Sequence, residues 1–425
     1  MPKVPSTNSV SVESGVDVEV VAAADINTLA NHVYRHNFPG TRLIQRNIQS
    51  LTVQEVDDMT VEMIVMSPPC QPFTSWESNL GQQLGAPTWC YTSRGPSARL
   101  ANAHPTLAWR LLKCYRVGLK KDVSDVRTCS LLHVLALLPD LKDSFRYLLV
   151  ENVRGFESSQ ARDHLVSTLD SIDFSYQEFM LSPSQFSIPN TRHRYYLVAK
   201  RRPLAFCFEN TRSLVNIRTS LLYRSVFLVL FQSTELPFSL RGSSSESESV
   251  SNLLSTLNLK HRSLVDRHNT DESQCYPVDQ ILETGQSEEH MAQFLVPDKV
   301  LGKHVKLLDI VEPSSTRSCC FTKAYTHYVE GTGSVLSPAG ADAAGRELER
   351  VGAIEPGSEQ QVGRLRTLQL RYFTDREIAR LMGFPEVFTF PQDVTRKQKY
   401  RLLGNSVNVH VVALLILLLV SEAER

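Results

Sequence analysis

The sequence lacks several features that would define a specialised class of protein. Its eight cysteines include no Cys-x-x-Cys pair and its first fifteen residues contain no apolar leader, which argues against a disulfide scaffold, a zinc ribbon and a secretory signal. Neither sign of charge is in excess, because 45 Lys and Arg balance 45 Asp and Glu. A polybasic coat or an acidic tail is therefore excluded as the dominant feature. The apolar run Val411–Val420 has ten residues, about half of what a membrane span needs, and predicts a buried helix.

These exclusions leave a soluble protein that is long enough to bury a full core. At about 150 residues per domain, 425 residues suggest roughly two to three domains. We expect neither a metal nor a membrane partner. We also expect a monomer that resides in the cytoplasm, with the nucleus as an alternative.

Short apolar runs that end in polar residues predict the strands of an α/β domain. Asn27 is placed to cap a helix that Pro39-Gly40 ends, and Leu165–Ile172 has the spacing of an amphipathic helix. Strands that alternate with helices indicate a doubly wound, mostly parallel sheet. The predicted strands are Val18–Ala24, Met63–Met66, Tyr147–Val150, Tyr176–Leu181 and Tyr195–Ala199.

Three residues with useful chemistry, Asp25, Cys70 and Glu151, each follow one of these strands. In open α/β sheets ligands bind beyond the carboxyl ends of the strands. A thiolate is a strong nucleophile once it is activated, and a carboxyl group beside it can serve as an acid. Their shared position is the first indication of a functional site.

Each candidate also has a plainer interpretation when it is taken alone. Cys70 has the properties of a small buried hydrophobe, and Glu151 those of an exposed carboxylate or a helix cap. Arg192 and Arg194 are two apart at the start of a strand, so they share a face that suits a phosphate or an oxyanion, or a solvated edge. Asn405-Ser406 before the buried helix is ordinarily an N-cap.

Four motifs nevertheless occur in a characteristic order. Pro68-Pro69-Cys70-Gln71 precedes Glu151-Asn152-Val153, then Arg192-x-Arg194, then Gly404-Asn405-Ser406-Val407. In this order they resemble the cytosine-C5 methyltransferase family. The segments that begin at Cys320-Phe321-Thr322, at Glu330 and at Arg371 resemble the branch that methylates cytosine-38 in the anticodon loop of aspartate tRNA.

The resemblance implies a mechanism and a tRNA partner. Cys70 would add as a thiolate to C6 of the cytosine while Glu151 protonates or hydrogen-bonds N3, and Arg192 and Arg194 would hold the base and orient Glu151. The methyl donor would be S-adenosylmethionine. The residues implied around this cofactor are Asp25, Ile48, Ser67, Pro68, Asn405 and Ser406. Those implied around the substrate are Gln71, Asn152, Cys320, Thr322 and Lys323.

The resemblance also implies the domain organisation. After an irregular N-terminus (1–17), residues 18–200 would form the catalytic domain and 201–394 a smaller inserted target-recognition domain. Residues 395–425 would return to the catalytic domain. Two stretches fit neither pattern and are predicted insertions: Ser75–Arg116 inside the catalytic loop, and 210–251, which ends in a Ser/Glu-rich run typical of a flexible loop.

Two elements of the family pattern are missing from the sequence. The family opens with a strand and a Gly-rich loop, whereas Gly15 is the only glycine before Asp25 and no strand-length apolar run precedes Val18. We therefore expect the first strand and its loop to be absent. The carboxylate expected after Ile48 is also missing, since Gln49 stands there.

Local charge supports a nucleic-acid partner. Residues 192–224 carry eight Arg and Lys against Glu209 alone, and Arg396, Lys397, Lys399 and Arg401 form a second cluster. Such residues contact phosphates, although a solvated face is the plainer interpretation. The alternatives to a tRNA methyltransferase are a DNA cytosine-C5 methyltransferase and a catalytically impaired RNA-binding protein. A cysteine hydrolase is more distant, because no His/Asn pair accompanies Cys70.

Overall fold

Five strands form the main sheet, in the order β3-β4-β6-β5-β7. The computed structural model describes residues 18–69, 122–208, 210–216 and 275–421. Its strands are β1 (Ala22–Ala24), β2 (Arg42–Ile44), β3 (Met63–Met66), β4 (Tyr147–Val153), β5 (Phe174–Leu181), β6 (Arg194–Arg201), β7 (Leu214–Asn216), β8 (Asp309–Val311), β9 (Ser334–Leu336) and β10 (Arg371–Tyr372). Its helices are α1 (Thr28–Asn37), α2 (Val53–Asp57), α3 (Cys129–Leu137), α4 (Gln160–Ser171), α5 (Glu288–Ala292), α6 (Asp298–His304), α7 (Ala341–Arg350), α8 (Glu359–Arg366), α9 (Asp375–Leu381), α10 (Arg396–Asn405) and α11 (Val409–Val420).

The main sheet is mixed, with β6 running against both of its neighbours. β3 and β4 pair in parallel, as do β5 and β7, but β6 is antiparallel to β4 and β5. A parallel connection needs a crossover, usually a helix. Residues 182–193 supply only the short 3-10 turn Pro183–Phe186, so the chain returns beside β5 in the opposite direction. The predicted α/β sheet is confirmed, with this antiparallel strand as its departure from a parallel arrangement.

The first two strands form a small parallel sheet of their own within the described residues. The strand predicted at Val18–Ala24 is shorter, and Asn27 caps α1 by accepting hydrogen bonds from the backbone nitrogens of Leu29 and Ala30, as predicted. The predicted absence of an earlier strand falls largely on residues 1–17, outside the described residues, and stays a prediction.

A third sheet, β10-β9-β8, packs with helices α6, α7 and α8 around a separate apolar cluster. The sequence interpretation missed α7 and α8, because most of their residues are charged or polar and only a few positions are buried. The Thr374-x-x-Glu377 capping box of α9 is present as predicted. Gly383, with a φ of +77°, follows that helix in the left-handed conformation that favours glycine.

The last helix lies in the core. Nearly every residue of α11 is buried, and the helix contacts β4 and β6, so the buried helix predicted for the apolar run Val411–Val420 is confirmed. The stretch Arg396–Val420 is long and apolar enough to cross a membrane, but 78% of its most apolar window is buried inside the protein.

The two predicted insertions have different outcomes. Ser75–Arg116 lies outside the described residues. The second prediction began too early, because Leu214–Asn216 pair in parallel with Glu178–Met180 and form edge strand β7. β7 has only two apolar residues and one polar residue, which is too short for a strand to be recognised from its periodicity.

Candidate active site

Glu151 is a buried carboxylate within β4, two residues before the strand ends. It is only 1% exposed, which rules out the exposed carboxylate or helix cap that it could have been. The Ser67 hydroxyl donates a hydrogen bond of 2.5 Å to Oε2 of Glu151, and Nε of Arg194 lies 3.5 Å from Oε1. A hydroxyl and a guanidinium therefore hold this carboxyl group in one orientation.

Arg192 joins three distant parts of the chain. One nitrogen of its guanidinium donates to Sγ of Cys320 (3.2 Å) and to the carbonyl of Phe321 (3.0 Å), and the other donates to the carbonyls of Gly404 (3.3 Å) and Ser406 (2.7 Å). Arg192 precedes β6 rather than starting it. The prediction that its side chain would converge with Arg194 nevertheless agrees with the structure, since a guanidinium nitrogen of Arg194 lies 4.0 Å from the same sulfur.

The Cys320 thiol lies in an electropositive environment. Burial acts to raise its pKa, but the charges of Arg192 and Arg194 outweigh burial, so that the pKa is lowered overall. The neighbouring Cys319 has its pKa raised, first by burial and then by Asp309. Adjacent thiols thus differ in character because only Cys320 faces the two guanidiniums.

Gly404 has to be a glycine because the backbone of Thr322 and Lys323 packs directly against it. A Cβ at this position would lie 2.2 Å from both the carbonyl carbon of Thr322 and the nitrogen of Lys323, which no side chain can occupy. This close approach brings the Gly404-Asn405-Ser406 motif against the segment that carries Cys320. The sequence motif includes Gly404, but the sequence alone does not show why a glycine is required at this position.

Asn405 and Ser406 do not cap the following helix, so that plainer interpretation was wrong. Asn405 is the last residue of α10, and the buried Ser406 follows it, with its hydroxyl donating to the carbonyl of Leu403. The N-cap of α11 is Asn408, whose side chain accepts from the backbone of Val411.

Asp25 follows β1 and has one carboxylate oxygen to offer. The backbone nitrogen of Asn27 donates to Oδ1 at 2.6 Å, whereas the buried Oδ2 has no hydrogen-bond partner among the described residues. Burial raises the pKa of Asp25 to about 6, although the Asn27 hydrogen bond opposes that shift. A buried acceptor without a partner is costly, and a ribose hydroxyl would satisfy it.

Three other predicted cofactor residues, Ile48, Ser67 and Pro68, follow strand β2 or β3. Ile48 opens a short turn and packs its side chain against the apolar cluster that includes Leu148 and Val150 of β4. Gln49, in the place of the expected carboxylate, is exposed and hydrogen-bonded to Asn47. Ser67 and Pro68 follow β3, as predicted. The Ser67 hydroxyl, however, is directed to Glu151, a contact that the sequence did not indicate.

The predicted substrate residues are not all brought together. Thr322 and Lys323 lie against Gly404, with Lys323 exposed. Asn152 is fully buried and lies on the opposite face of β4 from Glu151, because successive side chains of a strand alternate. The Asn152 side chain accepts from the backbone of Val153. Cys70 and Gln71 lie outside the described residues.

Asn190 is a supporting residue that the sequence interpretation missed. Its side-chain nitrogen donates to the hydroxyl of Ser318 (3.2 Å) and to the carbonyl of Cys319 (3.0 Å). These bonds hold the chain that leads to Cys320 beside the residues that precede Arg192. The signal available was an Asn that follows Pro189 two residues before the arginine pair.

In its described part, most of the basic stretch at 192–224 is buried or paired with acids. Lys200 is fully buried, and three arginines pair with acids from elsewhere: Arg201 with Asp143, Arg202 with Asp173 and Arg212 with Asp170. Arg218 and Arg224 lie outside the described residues. The count of neighbouring charges could not show these partners. On α10, by contrast, Arg396, Lys397 and Arg401 are exposed, and Lys399 lies 3.0 Å from Asp375.

The buried Glu151 is placed to exchange a proton with a substrate, and the unpartnered Oδ2 of Asp25 suits a ribose hydroxyl. Together they indicate a group-transfer enzyme that binds a nucleotide-like cofactor. The chain belongs to the C-5 cytosine-specific methylase family, because the model of the family described as C-5 cytosine-specific DNA methylase matches residues 9–88 and 117–418. Enzymes of this family use S-adenosylmethionine as the methyl donor. The unmatched residues 89–116 fall within the predicted insertion Ser75–Arg116.

Two named relatives and one solved structure resemble nearly the whole chain. A rat protein named tRNA (cytosine(38)-C(5))-methyltransferase is 38% identical over 96% of this chain and 94% of its own length. A Dictyostelium discoideum DNA (cytosine-5)-methyltransferase is 33% identical over 97% of this chain and 91% of its own length. A crystal structure of a Spodoptera frugiperda DNMT2 variant matches with a TM-score of 0.69 and 33% identity, covering 99% of this chain and 97% of that one.

Proposed function

We propose that this protein transfers a methyl group to C5 of a cytosine in tRNA, at position 38 of the anticodon loop of aspartate tRNA. The observation that carries the chemistry is the buried Glu151, held by Ser67 and Arg194 one residue beyond the last β3–β4 pair, Met66–Val150. The substrate is supported by the relatives named tRNA (cytosine(38)-C(5))-methyltransferase, which resemble nearly the whole chain.

The chemistry begins with Cys70, which directly follows Pro68-Pro69 after β3. C5 of cytosine is a weak nucleophile. If the Cys70 thiolate forms a bond to C6 while Glu151 gives a proton to N3, the electron pair of the C5–C6 double bond becomes available at C5. Arg194 lies beside Glu151 and would hold that carboxyl group against the base.

The second half of the reaction restores the ring. S-adenosylmethionine supplies an electrophilic methyl group, which C5 accepts. Loss of the C5 proton to a base and cleavage of the C6–S bond then regenerate the aromatic ring and the Cys70 thiolate, and N3 returns its proton to Glu151. The Ser67 hydroxyl suits both protonation states of Glu151, because it can donate to a carboxylate and can accept from a carboxylic acid.

Asp25 fits the cofactor through its ribose. The buried Oδ2 has no partner among the described residues, and acids at the ends of α/β strands commonly accept hydrogen bonds from ribose hydroxyls. Ile48, Ser67, Pro68, Asn405 and Ser406 are proposed to complete that site by family position.

A single-stranded loop is a suitable substrate for such an enzyme. A base in a duplex has to be extruded from its stack before an enzyme can act on it, and the cost is lowest where the base is unpaired. RNA recognition generally targets loops for the same reason.

DNA is the second candidate substrate. The family description and the Dictyostelium discoideum relative both name DNA as the substrate. The chemistry at the target base would be the same, so the choice rests on how the rest of the nucleic acid is bound.

A methyl-transfer assay with radiolabelled S-adenosylmethionine separates these proposals. We expect incorporation into unmodified aspartate tRNA, little into the same transcript with U at position 38, and none with Cys70→Ala or into a DNA duplex. Incorporation into the duplex alone would support DNA. No incorporation into either, with tRNA still bound in a salt-sensitive manner, would contradict catalysis and leave RNA binding as the function.

A further inference from the structure

Residues Thr322–Thr332 form a closed loop that leaves the site directly after Cys320 and Phe321. The backbone nitrogen of Thr322 donates to the carbonyl of Thr332 (2.9 Å) and closes the loop. Within it, the nitrogens of His327 and Tyr328 both donate to the carbonyl of Ala324, at 2.9 and 3.1 Å. This internal hydrogen bonding gives the 322–332 loop a defined backbone rather than a loose one.

The inner side of the 322–332 loop is anchored in the core through Tyr325. Its hydroxyl donates to the carbonyl of Ser334 (2.6 Å) and accepts from the backbone nitrogen of Phe373 (2.9 Å). Its ring packs edge-on against Phe321 and Tyr400. At the start of the loop, Gly404 lies against Thr322 and Lys323. The loop is therefore fixed at its base to the segment that carries Cys320.

The outer side of the 322–332 loop presents an aromatic surface to solvent. Tyr328 is 64% exposed, and its ring packs edge-on against His327 with the centroids 4.6 Å apart. Thr332 donates to the Tyr328 carbonyl at 2.7 Å and fixes the backbone there. Of the charged side chains in the loop, Lys323 and Glu330 are both exposed, so the surface has no net excess of positive charge.

We propose that Tyr328, supported by His327, stacks against an unpaired RNA base next to the target cytosine. This inference rests on the proposed function and adds a residue that contacts the substrate outside the reacting centre. A target base that leaves its stack exposes the faces of its neighbours. An aromatic ring that the protein holds in water, on a loop rooted at Cys320, offers such a base a flat partner.

The near-neutral charge of this loop favours a base over a phosphate as the occupant. Phosphate contacts depend on Lys and Arg, and here Glu330 offsets Lys323. Aromatic side chains instead bind single-stranded nucleic acid by stacking, with a contribution of about 1–3 kcal/mol per base, which corresponds to roughly 5- to 150-fold in affinity.

The test uses three variants of the full-length protein: Tyr328→Ala, Tyr328→Phe and, as the matched control, Leu307→Ala. Leu307 is also an exposed large side chain, at 48%, but lies outside the 322–332 loop. The substrate is an anticodon stem-loop that carries 2-aminopurine at one loop position at a time, and both fluorescence and methyl transfer are measured. Stacking on an aromatic ring quenches 2-aminopurine, so the readout reports the contact itself.

We expect Tyr328→Ala to raise KM for the stem-loop about tenfold with little change in kcat, and to abolish quenching at one loop position. Tyr328→Phe should stay within about twofold of the wild type, because the ring and not the hydroxyl makes the contact. The inference is overturned if Tyr328→Ala behaves like Leu307→Ala, if it lowers kcat alone, or if Tyr328→Phe is as impaired as Tyr328→Ala. Failure of the proposed function would look different, since the wild-type protein would then transfer no methyl group.

Discussion

The hydroxyl of Ser67 lies 2.5 Å from Oε2 of Glu151 and joins the residue that follows β3 to the adjacent parallel strand β4. Ser67 stands three residues before Cys70 in the sequence. One short segment thus supplies the proposed nucleophile and also a partner of the proposed acid. A shift of β3 relative to β4 would move both groups together.

We expect Ser67→Ala to lower kcat by about ten- to a hundredfold, because Glu151 loses a partner that holds it toward N3 of the base. Ser67→Thr keeps the hydroxyl and should recover most of the activity. The pH dependence of kcat should move in Ser67→Ala and not in Ser67→Thr. If Ser67 served only the cofactor, Ser67→Ala would instead raise KM for S-adenosylmethionine and leave the pH dependence unchanged.

We expect cofactor affinity to depend on pH through Asp25. Burial raises the pKa of Asp25 to about 6, and a ribose hydroxyl donates a stronger hydrogen bond to a carboxylate than to a neutral acid, so binding of S-adenosylmethionine should weaken as pH falls through about 6. Isothermal titration between pH 5 and 8 measures this effect. Asp25→Asn should bind weakly at every pH, with no step near 6. A step of the same size in Asp25→Asn would assign the titration to another group.

The charged form of Asp25, which should favour cofactor binding, should lower the stability of the fold. A carboxyl group whose pKa is raised in the folded state stabilises the fold below its unfolded value of 3.8, and this contribution is lost as pH rises through about 6. Asp25→Asn removes the buried charge and should increase the free energy of unfolding at pH 7.5, by on the order of 2 kcal/mol. Urea unfolding without cofactor measures it. Equal stability of the two proteins at pH 7.5 would contradict the burial argument.

Gly404→Ala should disrupt the site, because its Cβ would lie 2.2 Å from the backbone of Thr322 and Lys323. We expect a loss of several kcal/mol in stability or a displaced 320–332 segment with activity reduced at least a hundredfold. Gly345→Ala is the matched control, since that glycine lies in helix α7 with open space around it. It should leave activity unchanged and raise stability by about 0.5–1 kcal/mol. Wild-type activity in Gly404→Ala would show that this approach is not required.

Lys200 fixes the end of the last helix. Its ammonium group is buried and donates to the carbonyls of Ala205 and Ser421, each at 3.0 Å, and Ser421 is the C-cap of α11. Lys200→Met should lower the free energy of unfolding by about 2–4 kcal/mol, since buried carbonyls lose a charged donor. The exposed Lys303 supplies the control, and Lys303→Met should lie within about 0.5 kcal/mol of the wild type. Equal unfolding midpoints for the two variants would mean that Lys200 contributes nothing specific.

The sequence predicted what depends on neighbours along the chain. Met63–Met66 is a strand with the predicted bounds, and Thr374 and Glu377 form the predicted capping box, because apolar runs and capping pairs are local signals. It could not predict β6 as antiparallel, since strand direction depends on how the chain returns.

At the candidate site, too, local features could be predicted from the sequence and contacts between distant parts of the chain could not. Arg192 and Arg194 converge as predicted, although Arg192 precedes β6 and their shared partner, Cys320, lies 128 and 126 residues away in the sequence. No periodicity encodes such a contact. The partners of Arg201 and Arg202 could not be predicted for the same reason, because these acids precede them by 58 and 29 residues.

The contacts of Arg192 also determine when the site can form during protein synthesis. Two of the carbonyls that hold its guanidinium come from Gly404 and Ser406, 212 and 214 residues later. At about 5–20 residues per second, the ribosome needs on the order of 10 to 40 s to supply them. Until then Arg192 lacks the two carbonyls that accept from one nitrogen of its guanidinium, and β4 and β6 lack the helix α11 that packs against them. Synthesis of the residues from Gly404 onward therefore completes the candidate site.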